Sequence, residues 1–344
     1  MRIAHFAPTI ALILLPVWVQ AFEIESNRFY ESDFNDVVLR IISTADIEVF
    51  EPIILEFQQS YPSIDIDYTI ASSTELMKAI YDEGASFDLA ISSAMDLQIK
   101  LVNDGYAQTH NSDATRALPS WAKWREQIFA FTQEPAVMII SEKDFEGSPP
   151  PTTREELITL LRNQPDQFTG RVGTYDIRKS GAGYLFATQD SRNTDSYWRL
   201  TEVMGRLDAQ LYSSSAEMIS DVAEGRLALA YNVVGSYAAS RLVDTPGIRI
   251  VLFEDFLSVM LRTVLIPETA ANPAAAGTMV DFLAELNSRP KLNERTFLPP
   301  INREELEANS ASRPIRLGPE LLVFLDRIKK ENFLRSWVNS IEQE

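Results

Sequence analysis

Hydrophobic and polar positions along this chain switch repeatedly between a period of two and a helical period. Residues 37–42 form a β-branched run with the character of a buried strand. After Ser43, Thr44, Ala45 and Asp46, apolar Ile47, Phe50, Ile54 and Phe57 recur at helical spacing. Asp46 is placed as an N-cap, and Pro52 is expected to kink this helix or delay its regular start. Ile64, Ile66 and Tyr68 alternate with acidic residues as a second strand, and Ser72-Ser73-Thr74 opens a helix reaching residue 81. A third strand spans 87–91, after which Ser92-Ser93 opens a helix over 94–102 that stops at Gly105. Three successive strand–loop–helix units imply a parallel sheet.

The second half continues the alternation. Residues 128–131 and 136–140 read as two extended segments separated by 132–135. A proline-rich loop at 147–151 precedes a capped helix over 153–161, and a strand at 171–175 leads through Lys179 and Ser180 into another helix. Ser213-Ser214-Ser215 precedes a helix over 216–224 closed by Gly225, and strands follow at 227–231, 248–253 and 260–266. Helices are expected at 274–286 and 319–341. So long an alternation exceeds one ordinary domain, and two α/β lobes with the chain crossing between them fit it.

The first segment has a different character. A single early arginine, an apolar run over 7–19 broken by Pro8 and Pro16, and Val19-Gln20-Ala21 describe a cleavable secretory signal over 1–21. The run is too short and too interrupted for a membrane span, so export to a bacterial periplasm is expected. The chain has no cysteine, which removes disulfides, thiolate metal sites, cysteine nucleophiles and a lipid-acceptor residue after the signal. Its 31 basic and 49 acidic residues leave a net charge of −18, which argues against nucleic-acid binding.

Candidate chemistry concentrates where strands give way to helices. Ser43-Thr44, Ser72-Ser73-Thr74, Ser92-Ser93, Ser180-Gly181-Ala182-Gly183 and Gly235-Ser236-Tyr237 each follow a strand and open a helix. Open α/β sheets bind ligands at the carboxyl ends of their strands, where free N–H groups and the positive helix end favour anions. Serine and threonine are also ordinary N-caps, so the recurrence of the pattern carries more weight than any one cluster. Arg178 and Lys179 are cations beside the glycine cluster, and Tyr184 and Tyr237 are the aromatic candidates for a cleft. Enzyme and cofactor signatures are absent. Gly181-Ala182-Gly183 lacks the third glycine of a dinucleotide fingerprint, no phosphate loop or nucleophile elbow exists, and two histidines cannot build a histidine-rich metal site. An exported hydrolase is the lowest-ranked alternative, because no nucleophile–base pair can be assembled.

The segment Phe87-Asp88-Leu89-Ala90-Ile91-Ser92-Ser93-Ala94, the triplet Gly105-Tyr106-Ala107 and the run Ser180-Gly181-Ala182-Gly183-Tyr184 resemble type II periplasmic solute-binding proteins of ABC transporters. The resemblance covers most of 37–286, nearest the branch holding ferric-iron-binding proteins and the periplasmic phosphoglycerate transport regulatory protein. It implies an α/β fold of two lobes, each a mixed sheet flanked by helices, with the ligand cleft between them. The lobes are expected at 33–132 plus 255–300 and at 133–254 plus 301–344. It also implies delivery to a permease at the inner membrane or, alternatively, presentation to a two-component sensor kinase, by a monomer. Iron-binding members use a His or Tyr after the first strand and a Tyr-Tyr pair after the last cleft strand. Ser43-Thr44 and Ser236-Tyr237-Ala238 stand there in this chain, which argues against Fe(III). The leading expectation is a small anionic organic solute, phosphorylated or carboxylated. Ser43, Thr44, Ser72, Ser73, Ser92 and Ser93 would donate from one lobe, and Ser180, Gly181, Gly183, Tyr184 and Tyr237 from the other. Arg178 is the expected counter-charge, and Glu134 the expected acceptor for a ligand hydroxyl or amine. No metal and no cofactor are expected.

Overall fold

The computed structural model describes residues 21–243 and 245–343. The signal expected over 1–21 lies, except for Ala21, outside the described residues. Among those, twelve strands join into one mixed sheet flanked by helices. In chain order they are β1 (Ser26–Tyr30), β2 (Val37–Ser43), β3 (Ile64–Ile70), β4 (Leu89–Ser92), β5 (Lys123–Trp124), β6 (Ile128–Ser141), β7 (Val172–Tyr175), β8 (Gln210–Tyr212), β9 (Leu229–Val234), β10 (Ile248–Val251), β11 (Leu257–Leu265) and β12 (Ser312–Pro314). The spatial order is β1-β3-β2-β4-β11-β6-β9-β7-β8, with β5 and β10 also on β6 and β12 on β11. β2 runs parallel to both β3 and β4, as the three strand–helix units require. β1 adds an antiparallel edge that the sequence pattern did not announce.

The two extended segments expected around 132–135 are one strand of 14 residues, β6, and this correction organises the molecule. Ile128 to Pro135 pair with β11, whereas Ala136 onward pairs with β9 and β10. Proline cannot donate to a ladder, and Pro135 falls where β6 changes partners. β6 thus belongs to both halves of the sheet and joins two lobes, while β11 pairs with β4, β6 and β12. One apolar cluster, including Phe50, Tyr68, Phe131 and Phe282, fills the first lobe. A second, including Phe168, Leu200, Phe333 and Trp337, fills the other, and a third spans the junction.

Other differences are local. The helix expected to reach residue 81 is Ser73–Met77 followed by a π-helical turn, Lys78–Asp82. The helix expected over 319–341 is a 3₁₀ segment, Pro319–Leu325, and a helix, Arg327–Ile341. Asp326 separates them, its carboxylate accepting from the Lys329 N–H at 3.1 Å and starting a new helix. That helix lies on Ser196–Arg206, a helix whose pattern was not singled out in the sequence. No helix of the described residues is long and apolar enough to cross a membrane.

Candidate ligand-binding cleft

Between the lobes lies a polar cavity of about 200 Å³. The first lobe contributes Thr44 after β2, Ser72 and Ser73 after β3, and Ser93 after β4. The second contributes Ser180 after β7, Ser213 to Ser215 after β8, and Tyr237 after β9. Strand ends and helix starts therefore converge on one volume, as the recurring hydroxyl clusters predicted. Arg262, on β11, completes the lining from the junction.

The hydroxyls are held by their capping roles. Ser180 Oγ accepts from the Gly183 N–H at 3.2 Å, which orients it and leaves its own proton available to a ligand. Ser73 Oγ accepts from the Gly181 N–H at 3.0 Å, a direct bond between the lobes. Tyr237 makes the second such bond, its hydroxyl accepting from the Asp46 N–H at 3.3 Å. Burial pushes the Tyr237 phenol up to about 12, so it is a neutral donor over the physiological range. Thr44 Oγ1 accepts from the Ser93 N–H at 3.2 Å and ties the ends of β2 and β4 together.

Several expected site residues lie elsewhere. Ser43 and Ser92 are buried, their hydroxyls accepting from the Ala45 and Ala94 N–H groups and shaping the turns beneath the cleft. Gly181 offers only its N–H, already given to Ser73. Gly183 packs against the Tyr175 ring, where a Cβ would come within 2.7 Å of Cγ. Tyr184 donates its hydroxyl to the Phe324 carbonyl at 2.6 Å, outside the cleft lining. Arg178 is drawn away by Asp176 at 2.8 Å and Glu342 at 2.6 Å, so it does not supply the expected counter-charge in this geometry. Glu134 is wholly buried below the cavity. Its oxygens accept from Arg262 Nε at 2.9 Å and Nη2 at 3.1 Å, from Thr132 at 2.7 Å and from Ser236. With both oxygens engaged, Glu134 is not free to receive a ligand group.

Arg262 was missed by sequence reasoning, although a lone cation inside an apolar strand run is a legible anomaly. Its side chain is 1% exposed, yet Nη1 has no hydrogen-bond partner. Burial disfavours its charge and Glu134 outweighs that effect, so the guanidinium stays protonated. Lys179, Asp46 and Glu25 are the other charged groups of the lining. Ser213 to Ser215 repeat the strand–hydroxyl–helix pattern, but β8 is only three residues long and gave no strand signal. A larger groove of about 570 Å³ opens across the junction, lined by Val137, Leu257, Val259, Leu298 and Pro299 among others. Its apolar lining lacks the converging donors of the cleft.

Comparison with known proteins bears on this geometry. The family described as bacterial extracellular solute-binding protein matches residues 43–285. The substrate-binding protein of an ABC transporter from Agrobacterium tumefaciens is similar in structure, with 32% identity and a TM-score of 0.87, covering 92% of this chain and 98% of that one. The fold is shared with the periplasmic binding protein AfuA from Actinobacillus pleuropneumoniae, solved with fructose-6-phosphate bound, at 14% identity and a TM-score of 0.71, covering 90% and 99%. It is shared equally with iron-bound HitA from Pseudomonas aeruginosa, at 15% identity and a TM-score of 0.68, covering 88% and 99%. Comparison with curated protein sequences gave no match.

Proposed function

The chain belongs to the bacterial extracellular solute-binding protein family, and from that premise we propose that it captures a small anionic organic solute between its lobes for ABC-type import. The observation that carries the anionic reading is Arg262, a residue that lines the cleft and whose buried Nη1 has no partner in the protein. An unsatisfied buried donor costs free energy, and a carboxylate or phosphate oxygen would satisfy it with a charge-assisted bond. Ser73, Ser180 and Tyr237 supply neutral donors around it, and Lys179 a second cation.

In this reading the lobes are 33–132 with 255–300 and 133–254 with 301–344, and the partner exchange of β6 at Pro135 supports the first crossing. The protein works as a monomer in the periplasm and passes its solute to an inner-membrane permease. Ferric iron, which wants several hard anionic oxygen donors, fits the donor set poorly: among the described residues no three acidic or histidine side chains cluster for a metal. Thermal shift against organic acids, sugar phosphates and Fe(III) tests the proposal. A ligand present at a hundred times its Kd adds about 2.7 kcal/mol to stability. Stabilisation by phosphorylated or carboxylated solutes supports the reading, and stabilisation by iron alone overturns it.

A further inference from the structure

Asp46 stands where an aspartate ordinarily caps a helix, at the N-terminal boundary of Ile47–Ser60, yet its side chain makes no capping bond. Its backbone is already occupied: the N–H goes to Tyr237, and the carbonyl accepts from Val49 and Phe50. The carboxylate lines the cleft and has no ion-pair partner among the described residues. Unused groups of opposite character thus border the same cavity: the Asp46 carboxylate with Glu25 near it, and Arg262 Nη1 with Lys179. Asp46 and Arg262 flank one residue, since the Asp46 backbone N–H donates to the Tyr237 hydroxyl and the Arg262 guanidinium carbon lies 5.8 Å from the Tyr237 ring centre.

A purely anionic ligand would satisfy Arg262 and meet repulsion at Asp46. We propose that the solute carries a hydrogen-bond-donating substituent, a hydroxyl or an ammonium, a few bonds from its anionic group, and that Asp46 reads this substituent. The proposal rests on the anionic reading above and narrows it. Asp46 takes over the role that the sequence assigned to Glu134, whose oxygens are already spoken for by Arg262, Thr132 and Ser236. Burial and the neighbouring Glu48 push the Asp46 carboxyl above its ordinary value, with Arg262 and Arg241 opposing, as suits a group lacking its partner.

The test is calorimetric titration of the full mature chain with two matched trios. One is ethyl phosphate, 2-hydroxyethyl phosphate and 2-aminoethyl phosphate; the other is propionate, 3-hydroxypropionate and β-alanine. The hydroxyl or ammonium member should bind about tenfold to a hundredfold more tightly than its unsubstituted parent, the range of a hydrogen bond to a charged group. Asp46→Asn should remove most of that advantage for the ammonium member and leave the parent's affinity unchanged or improved. Parents that bind as well as their substituted partners to the unaltered protein overturn this inference alone, whatever becomes of the variant. Failure of every acid in both trios to bind overturns the anionic reading together with it.

Discussion

Gly181 shows how one hydrogen atom in place of a methyl permits closure. A Cβ there would lie inside the van der Waals envelope of Ser73 Oγ and 2.9 Å from the Ala94 Cβ, both on the opposite lobe. Gly181→Ala should therefore leave the unliganded protein's melting temperature nearly unchanged and weaken ligand binding about tenfold or more, read by calorimetry with any solute that binds. The lobes can part without unfolding, so the clash opposes only the closed form. The Ser180-Gly181 motif was legible in the sequence as a ligand-facing helix start. What it could not reveal is that the glycine serves the contact with Ser73, because that contact joins residues 108 positions apart.

At the scale of elements, the crossing strand β6 and its neighbour β11 are tied by Glu134 and Arg262, both wholly buried. Burial alone would raise the Glu134 carboxyl, but Arg262 and the hydroxyls of Ser236 and Thr132 hold it below its ordinary value of 4.5. A carboxyl depressed in the native state stabilises above its unfolded pKa, and that contribution fades as pH falls through the native one. Glu134→Gln should cost about 3–5 kcal/mol in urea unfolding at pH 7, since it strands a buried cation. Near pH 3 the difference from the unaltered protein should shrink. Asp96, in the first turn of the helix Met95–Asn103, has the opposite sign. Its burial raises the carboxyl to about 6, and one oxygen has no partner. The native state then holds that proton more tightly than the unfolded chain, so stability falls as pH rises from about 4 to about 6. Asp96→Asn should gain about 1–3 kcal/mol at pH 7 and much less at pH 4, seen by urea titration at the two pH values. Asp96 stood in the sequence without distinction from the other acids, and Glu134 stood there as an expected ligand acceptor, not as the partner of Arg262. Both are buried, and the presence or lack of a cationic partner separates them.

For the whole molecule, the interlobe bonds Ser73–Gly181 and Asp46–Tyr237 describe a closed arrangement. A solute bridging the lobes adds to them, so saturating ligand should lower the radius of gyration in small-angle scattering or, if the free protein is already closed, leave it unchanged while raising the melting temperature by several degrees. Expansion on binding would contradict capture by closure. The C-terminal helix Arg327–Ile341 contributes to this architecture from outside the cleft. Its Trp337, 2% exposed, packs in the core of the second lobe, and Trp337→Ala should cost about 3–5 kcal/mol in denaturant unfolding without altering affinity for a cleft ligand.

Local patterning sufficed for the alternating elements, the parallel β3-β2-β4 core and the hydroxyl-bearing helix starts, because each rests on periodicity or capping within a few residues. It also carried the resemblance that the family match upholds. Tertiary structure alone decided that β6 is one strand shared by two lobes, since its continuity through Pro135 depends on partners near residues 234 and 259. It likewise decided which charges face the ligand volume. Arg178 is taken by Asp176 and Glu342, and Glu134 by Arg262, while Arg262 Nη1 and the Asp46 carboxylate are left over. Charge pairing is a contest among groups distant in sequence, and its outcome is written only in three dimensions.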